Sequence, residues 1–234
     1  MELKEFTFSE LYKPHDSKTL MFLSNNQERK YKLIEFVCNL FSPISNKIIF
    51  SKDMNIQDQV KNVNYTLYDQ MDKKMISTLL HNQRTRIQEC LEEKYDDYGL
   101  LIKLSNMNDY LQDKSNQYRT LIIMDEFFTK DLVKSIRDLR FFFQLKRSCG
   151  ITLVLIQDNI KFCALRPLFT CIDYIFLFDD FDIEIYKKLY DYTLSYDNSI
   201  SESQFLEYIQ KYHTLVFDQH TTSSKIEDTL LYFT

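Results

Sequence analysis

The sequence predicts an α/β domain with a mostly parallel central sheet flanked by helices. Short apolar runs recur at Thr19–Leu23, Ser45–Phe50, Val63–Tyr68, Thr120–Met124, Ile151–Ile156, Ile172–Phe178 and Thr214–Phe217, most of them the length of strands buried on both faces. Apolar residues at helical spacing separate many of these runs, the alternation that right-handed parallel crossovers produce. The run Thr120-Leu-Ile-Ile-Met-Asp-Glu126 ends in two carboxylates. That is how a buried central strand delivers acids to the carboxyl edge of a sheet, where α/β folds bind ligands.

Taken in order, residues 1–18 read as an irregular lead with a turn at Pro14, before the strand Thr19–Leu23. The polar stretch Ser24–Arg29 reads as a loop and Lys30–Phe41 as a helix, with Leu33, Ile34, Val37, Leu40 and Phe41 on its apolar face. A helix over Asp72–Glu93 follows the next two strands, its apolar face carried by Met75, Ile76, Leu79, Leu80, Ile87 and Leu91, with Gln83, Arg84 and Arg86 mostly off that face. Residues 96–117 read as a loop or a partly helical insertion around Gly99. Lys130–Lys146 has the pattern of a helix, with an aromatic stripe suited to the core. Its basic residues include Arg140, and Arg147 follows; they fit either a solvated face or a DNA-facing one. Gly150 ends that unit, and Ile151–Ile156 leads into Gln157 at the same sheet edge as Asp125 and Glu126. Helices to about Tyr192 and over Ser201–Tyr212 follow, the second opening with a capping box, Ser201-Glu-Ser-Gln204. After the strand Thr214–Asp218, the apolar end of the chain is expected to pack back on the sheet.

Composition bounds the function. The 234 residues suit a single domain spanning 1–234, and a net charge of −5 confines any DNA contact to a local patch or a ring. Five cysteines with no CxxC pairing point to free thiols in a reducing compartment and away from zinc. No apolar run reaches the roughly 20 residues a membrane span needs.

Strand, polar loop and helix around Lys30 give the context of a phosphate-binding loop. The pattern GxxxxGK[ST] laid on Ser24–Tyr31 matches only at Lys30. Ser24 and Arg29 stand where glycines belong, and Tyr31 stands where a small hydroxyl binds Mg²⁺. Only two glycines, Gly99 and Gly150, occur in the whole chain, so none is left for such a loop. By spacing alone, Lys30 also fits a solvated helix residue, Asp125-Glu126 a strand end that caps a helix, and Gln157 a strand-end amide.

The order of these parts, from Lys30 through Asp125-Glu126, Arg147-Ser-Cys-Gly-Ile-Thr152, Gln157 and Ile172-Asp-Tyr-Ile-Phe176 to Ser224-Lys-Ile-Glu-Asp228, resembles the poxvirus-type DNA-packaging ATPases of nucleocytoplasmic large DNA viruses, in the FtsK/HerA superfamily. The resemblance implies a P-loop NTPase-like sheet of the type with an additional strand and a catalytic glutamate. It implies ATP and Mg²⁺ as cofactors, with Lys30 and Tyr31 at the nucleotide, Asp125 holding Mg²⁺ through water, Glu126 polarising the attacking water and Gln157 sensing nucleotide. The implied partners are double-stranded DNA, capsid proteins, and other subunits in a homo-oligomeric ring or a hetero-oligomer with an active paralogue. The implied location is the assembly site in the host cytoplasm, or the virion. The Walker A loop is degenerate. The arginine expected four residues before Asp173 is Phe169, with Arg166 at the wrong spacing, and Asp179-Asp180 stand where a later arginine is expected.

Two functions follow from different classes: a divergent ATP-driven DNA translocase, or a homologue that keeps the fold as a structural or regulatory subunit. Both require Lys30, Glu126 and Gln157 on one edge of the sheet. They part at Ser24–Lys30, because a helix continuing through that stretch leaves no cradle for phosphate.

Overall fold

A computed structural model describes residues 2–8, 17–69, 73–98, 119–126, 143, 150–158, 171–194, 200–219 and 229–233. In chain order the elements are β1 (Lys4–Glu5), β2 (Thr19–Leu23), α1 (Gln27–Leu40), β3 (Asn46–Phe50), α2 (Ile56–Gln59), β4 (Thr66–Tyr68), α3 (Lys73–Tyr98), β5 (Thr120–Asp125), β6 (Ile151–Gln157), β7 (Tyr174–Phe178), α4 (Ile183–Thr193), α5 (Glu202–Tyr212), β8 (Thr214–Asp218) and β9 (Leu230–Tyr232). Among the described residues they form one nine-stranded sheet in the order β1-β9-β8-β7-β2-β6-β5-β3-β4. The block from β7 to β4 is parallel throughout. β8 runs against it, and β9 and β1 return to its direction.

The alternation of side chains along each strand divides the core into two layers. Leu20, Phe22, Ile49, Leu121, Ile123, Val154, Ile156 and Phe176 share one face with Leu33, Ile34 and Val37 of α1. Met21, Leu23, Phe50, Ile122, Met124, Leu153, Leu155, Ile175 and Leu177 line the other with residues of α3, α4 and α5. Both faces are covered, which explains why the central strands read as continuous apolar runs. The helix ends follow local chemistry. Asn26 caps α1 by accepting from Arg29 N at 3.0 Å. In α5, Ser201 and Gln204 complete the capping box, and His213 closes the helix in the left-handed region. Gly150, at φ 62°, makes the turn into β6 without the penalty a Cβ would bring.

Two expectations, the irregular lead and the outward face of Gln83, are corrected, and two others gain definite form. The lead is not wholly irregular: β1 pairs with β9, and Phe6 N donates to Tyr232 O at 2.7 Å. The chain's apolar end is itself a strand, β9, paired with β8. Residues 96–98 belong to α3, while the rest of the expected insertion and most of the expected helix over 130–146 lie outside the described residues. Gln83 is buried and accepts a 2.7 Å hydrogen bond from the Thr120 hydroxyl, so it faces the sheet and not solvent.

Phe176 is the aromatic hub of the α1 face, with ring centroids 4.6 Å from Phe22, 5.2 Å from Phe6 and 6.2 Å from Phe233. Phe176→Ala is expected to cost about 3–5 kcal/mol, the range for a fully buried aromatic, read as a lower urea midpoint with an unchanged slope.

Candidate functional site

The central three strands build the candidate site. β6 lies between β2 and β5, with Gln157 opposite Leu23 and Ile156 opposite Asp125. The strand that feeds α1 and the strand that ends in two acids are therefore separated by one additional strand, and all three release their chains at the same edge. Ser24 N donates to Gln157 O at 3.0 Å, and Glu126 N donates to Ile156 O at 2.9 Å. Glu126 turns out of the sheet at φ 48°, a left-handed conformation that costs a non-glycine residue about 1 kcal/mol or more.

Lys30 sits at the centre. Its ammonium, on the second turn of α1, lies 2.6 Å from Glu126 Oε1 and 3.4 Å from Asp125 Oδ1. Lys30 and Asp125 are buried, whereas the Glu126 side chain is 42% exposed. Burial disfavours the charged lysine, but the hydrogen bond to Glu126 and the field of both carboxylates outweigh it and hold its pKa above the ordinary value. Asp125 is pushed up to about 6, chiefly by burial; the Ser51 hydroxyl, donating to Oδ2 at 2.5 Å, and the Lys30 charge oppose the rise. The 3.4 Å approach of Lys30 is an ion pair without hydrogen-bond geometry, and Asp125 Oδ1 has no hydrogen-bond partner among the described residues.

Lys30, Asp125 and Glu126 meet. Gln157 reaches the same edge, but its buried amide turns back, Nε2 donating to Ile156 O at 2.8 Å. Tyr31 points elsewhere, donating to Asp53 Oδ2 at 2.6 Å and accepting from Gln27 Nε2 at 3.1 Å. Burial of Asp53 opposes its charge, yet the hydrogen bonds it accepts from Tyr31, Asn55 N and Gln27 Nε2, with the Lys30 charge, keep its pKa below the usual carboxylate range. Arg140 and Arg147 lie outside the described residues.

α1 starts earlier than the apolar spacing suggests. Gln27–Lys30 are helical, so only Ser24, Asn25 and Asn26 connect β2 to the helix. The apolar face begins at Leu33, which placed the expected start too late; Asn26, a good N-cap with Glu28 in the first turn, was the better signal. The backbone N–H of Ser24 is bonded to Gln157 O, that of Asn26 to Ser24 Oγ, that of Arg29 to the Asn26 side chain and that of Lys30 to Asn26 O. The N–H of Asn25 donates to Asp180 Oδ1 at 3.0 Å. A nucleotide triphosphate needs such groups turned outward, and Mg²⁺ needs a hydroxyl from the first turns of the helix, which Tyr31 does not offer here. In this arrangement the residues do not fit a bound Mg·ATP.

Sequence reasoning missed Ser51 and Asp53, although a hydroxyl one residue beyond an apolar strand, at the edge shared with Asp125, was a usable sign. It noted Asp179 and Asp180 only for the arginine they replace.

No protein-family model and no curated protein matches the sequence. Solved structures do match. The DNA-packaging ATPase B204 of Sulfolobus turreted icosahedral virus is 12% identical with a TM-score of 0.53, over 89% of this chain and 96% of that one. The genome packaging NTPase B204 of Sulfolobus turreted icosahedral virus 2, in complex with AMP, is 14% identical with a TM-score of 0.51, over 90% and 96%. The chain has the fold of the P-loop packaging ATPases. TcpA, the pCW3 conjugation coupling protein, in its monomer form with ATPγS, shares that fold at 13% identity and a TM-score of 0.51, over 77% of this chain; the match covers 53% of TcpA. At these identities the likeness is one of fold.

Two outcomes are expected from the charge cluster. Asp125 binds a proton more tightly folded than unfolded, so its contribution to stability is present at low pH and is lost as pH rises from about 4 through about 6. Lys30 acts in the opposite range, its stabilisation intact until pH exceeds the ordinary lysine pKa. Asp125→Asn should therefore raise the melting temperature at pH 7, by roughly 2 kcal/mol in stability, with the gain vanishing near pH 4. Lys30→Ala leaves two carboxylates facing each other and should cost about 3 kcal/mol in urea unfolding at pH 7, and less at pH 5.

Proposed function

We propose that this chain is a genome-packaging ATPase-like subunit that keeps the fold of a DNA translocase and does not itself hydrolyse ATP. The observation that carries this reading is the start of α1 at Gln27, three residues after β2. A phosphate cradle is a loop whose backbone N–H groups converge on the β- and γ-phosphates; here the N–H groups of Ser24, Asn25, Asn26, Arg29 and Lys30 are held by other groups of the chain, among them Gln157 O, Asp180 Oδ1 and the side chains of Ser24 and Asn26. The lysine that would meet the phosphates is already neutralised by Glu126 and Asp125.

The likeness to viral packaging ATPases supports a role in packaging double-stranded DNA or in virion assembly. The subunit would act beside an active paralogue in a hetero-oligomeric ring and would contact capsid proteins at the assembly site or in the virion. Among the described residues no helix is long and apolar enough to cross a membrane.

A second reading, a hydrolysing translocase, is favoured by one observation: Asp125 Oδ1 is buried, lacks a hydrogen-bond partner and lies beside Lys30, where the acid that holds Mg²⁺ through water would stand. In that reading Asp125 would hold the metal, Lys30 and Tyr31 would face the nucleotide, and Glu126 and Gln157 would serve the attacking water, all after α1 unwinds at its start.

Mg·ATP hydrolysis by the purified chain, with and without double-stranded DNA and beside Glu126→Gln, separates the two. The expected result is no turnover above that of Glu126→Gln under either condition. DNA-stimulated turnover abolished by Glu126→Gln would overturn the non-hydrolysing reading and establish the second.

A further inference from the structure

We propose that the turn between β7 and α4 is an internal ligand: the Asp180 carboxylate holds the donors at the start of α1 that an incoming phosphate would need, and keeps this end of the site closed to anions. The inference rests on the non-hydrolysing reading and adds what occupies the phosphate-facing donors and what reopens them.

The contacts are specific. Asp180 Oδ2 accepts from Ser24 Oγ at 2.5 Å and from Arg29 NH1 at 2.9 Å, while Oδ1 accepts from Asn25 N at 3.0 Å. One carboxylate thus engages a hydroxyl, a main-chain N–H and a guanidinium, the donor types that bind a phosphate oxygen. Arg29 is fixed from two further sides, 3.4 Å from Asp179 Oδ1 and 4.8 Å from the centre of the Phe178 ring. Asp179 is fixed in turn by His213 Nδ1 at 2.7 Å, from the C-cap of α5. The turn is therefore held by the loop before α1, by α1 itself and by the end of α5.

Chemistry makes the occupation exclusive. A carboxylate and a phosphate both only accept hydrogen bonds, and both gain from the positive end of a helix. A phosphate entering here would have to displace Asp180 and then face the charges of Asp179 and Asp180. A second observation places the donors that Asp180 holds beside the charge cluster at the same sheet edge, where Ser24 N donates to Gln157 O. On the same helix, Lys30 lies beside Asp125 Oδ1, a buried oxygen with no hydrogen-bond partner among the described residues.

The test titrates the full chain with pyrophosphate by calorimetry at neutral pH, beside Asp180→Asn and Asp180→Ala, each checked for folding by circular dichroism. The unmodified chain is expected to show no binding and the variants to gain it. Arg29→Ala added to Asp180→Asn should then weaken that binding by about tenfold or more, since one charge-assisted contact is lost. Equal binding by the unmodified chain and Asp180→Asn overturns the proposal, as does the absence of binding in a folded variant. Amide exchange on the unmodified chain tests it without substitution: Asn25 N–H should exchange at least about tenfold slower than an unprotected amide, and exchange at the unprotected rate overturns the clasp. Because the readout is binding and not turnover, a chain that binds pyrophosphate but does not hydrolyse ATP would remove the clasp and leave the proposed function standing.

Discussion

The sheet edge depends on a charge balance. One buried ammonium, that of Lys30, faces two carboxylates, one buried and one half-exposed, and nothing else among the described residues within ion-pair distance of that group carries positive charge. Asp125 is the acid held back from ionising, chiefly because it is buried; the Glu126 charge adds to the rise, and Ser51 and Lys30 oppose it. In the neighbouring cluster Arg29 is outnumbered by Asp179 and Asp180, which are partly exposed and hold a hydroxyl, a main-chain N–H and His213 as further partners. Helix α1 therefore begins over acids on both sides, and its first two turns are committed to them.

The same arrangement fixes how the fold and the chemistry are related. The strand order places β6 between the strand that feeds α1 and the strand that carries Asp125, an edge at which α/β sheets bind ligands. What departs from a phosphate site is local, and the chief changes are in three connecting residues and one acidic turn. A fold can survive such changes because the core layers on either side of the sheet do not include these residues.

Much of this was legible in the chain. The central strands were read from apolar runs of strand length, and the meeting of Lys30 with Glu126 followed from placing both at the carboxyl edge of parallel strands. The start of α1 was misplaced because apolar spacing marks where a helix is buried, not where it begins; Asn26 and Glu28 carried that information in capping chemistry. β1 and β9 escaped reading because two or three residues are too few to show alternation, and their pairing depends on partners at opposite ends of the sequence. Gln83 was assigned to the wrong face because a polar side chain that finds Thr120 inside the protein looks, in sequence, like one that finds water. The acidic turn at Asp179 and Asp180 was visible as a departure, but its partner 156 residues away was not.

The two outermost strands have a further consequence. β1 is two residues long and β4 three, and among the described residues each is an edge of the sheet. So short a ladder offers another chain few main-chain groups with which to pair, which is how natural sheets avoid joining edge to edge. Any partner chain would then engage the described residues through side chains on the helical layers and the loops at the strand ends, a specificity that could change without disturbing a strand.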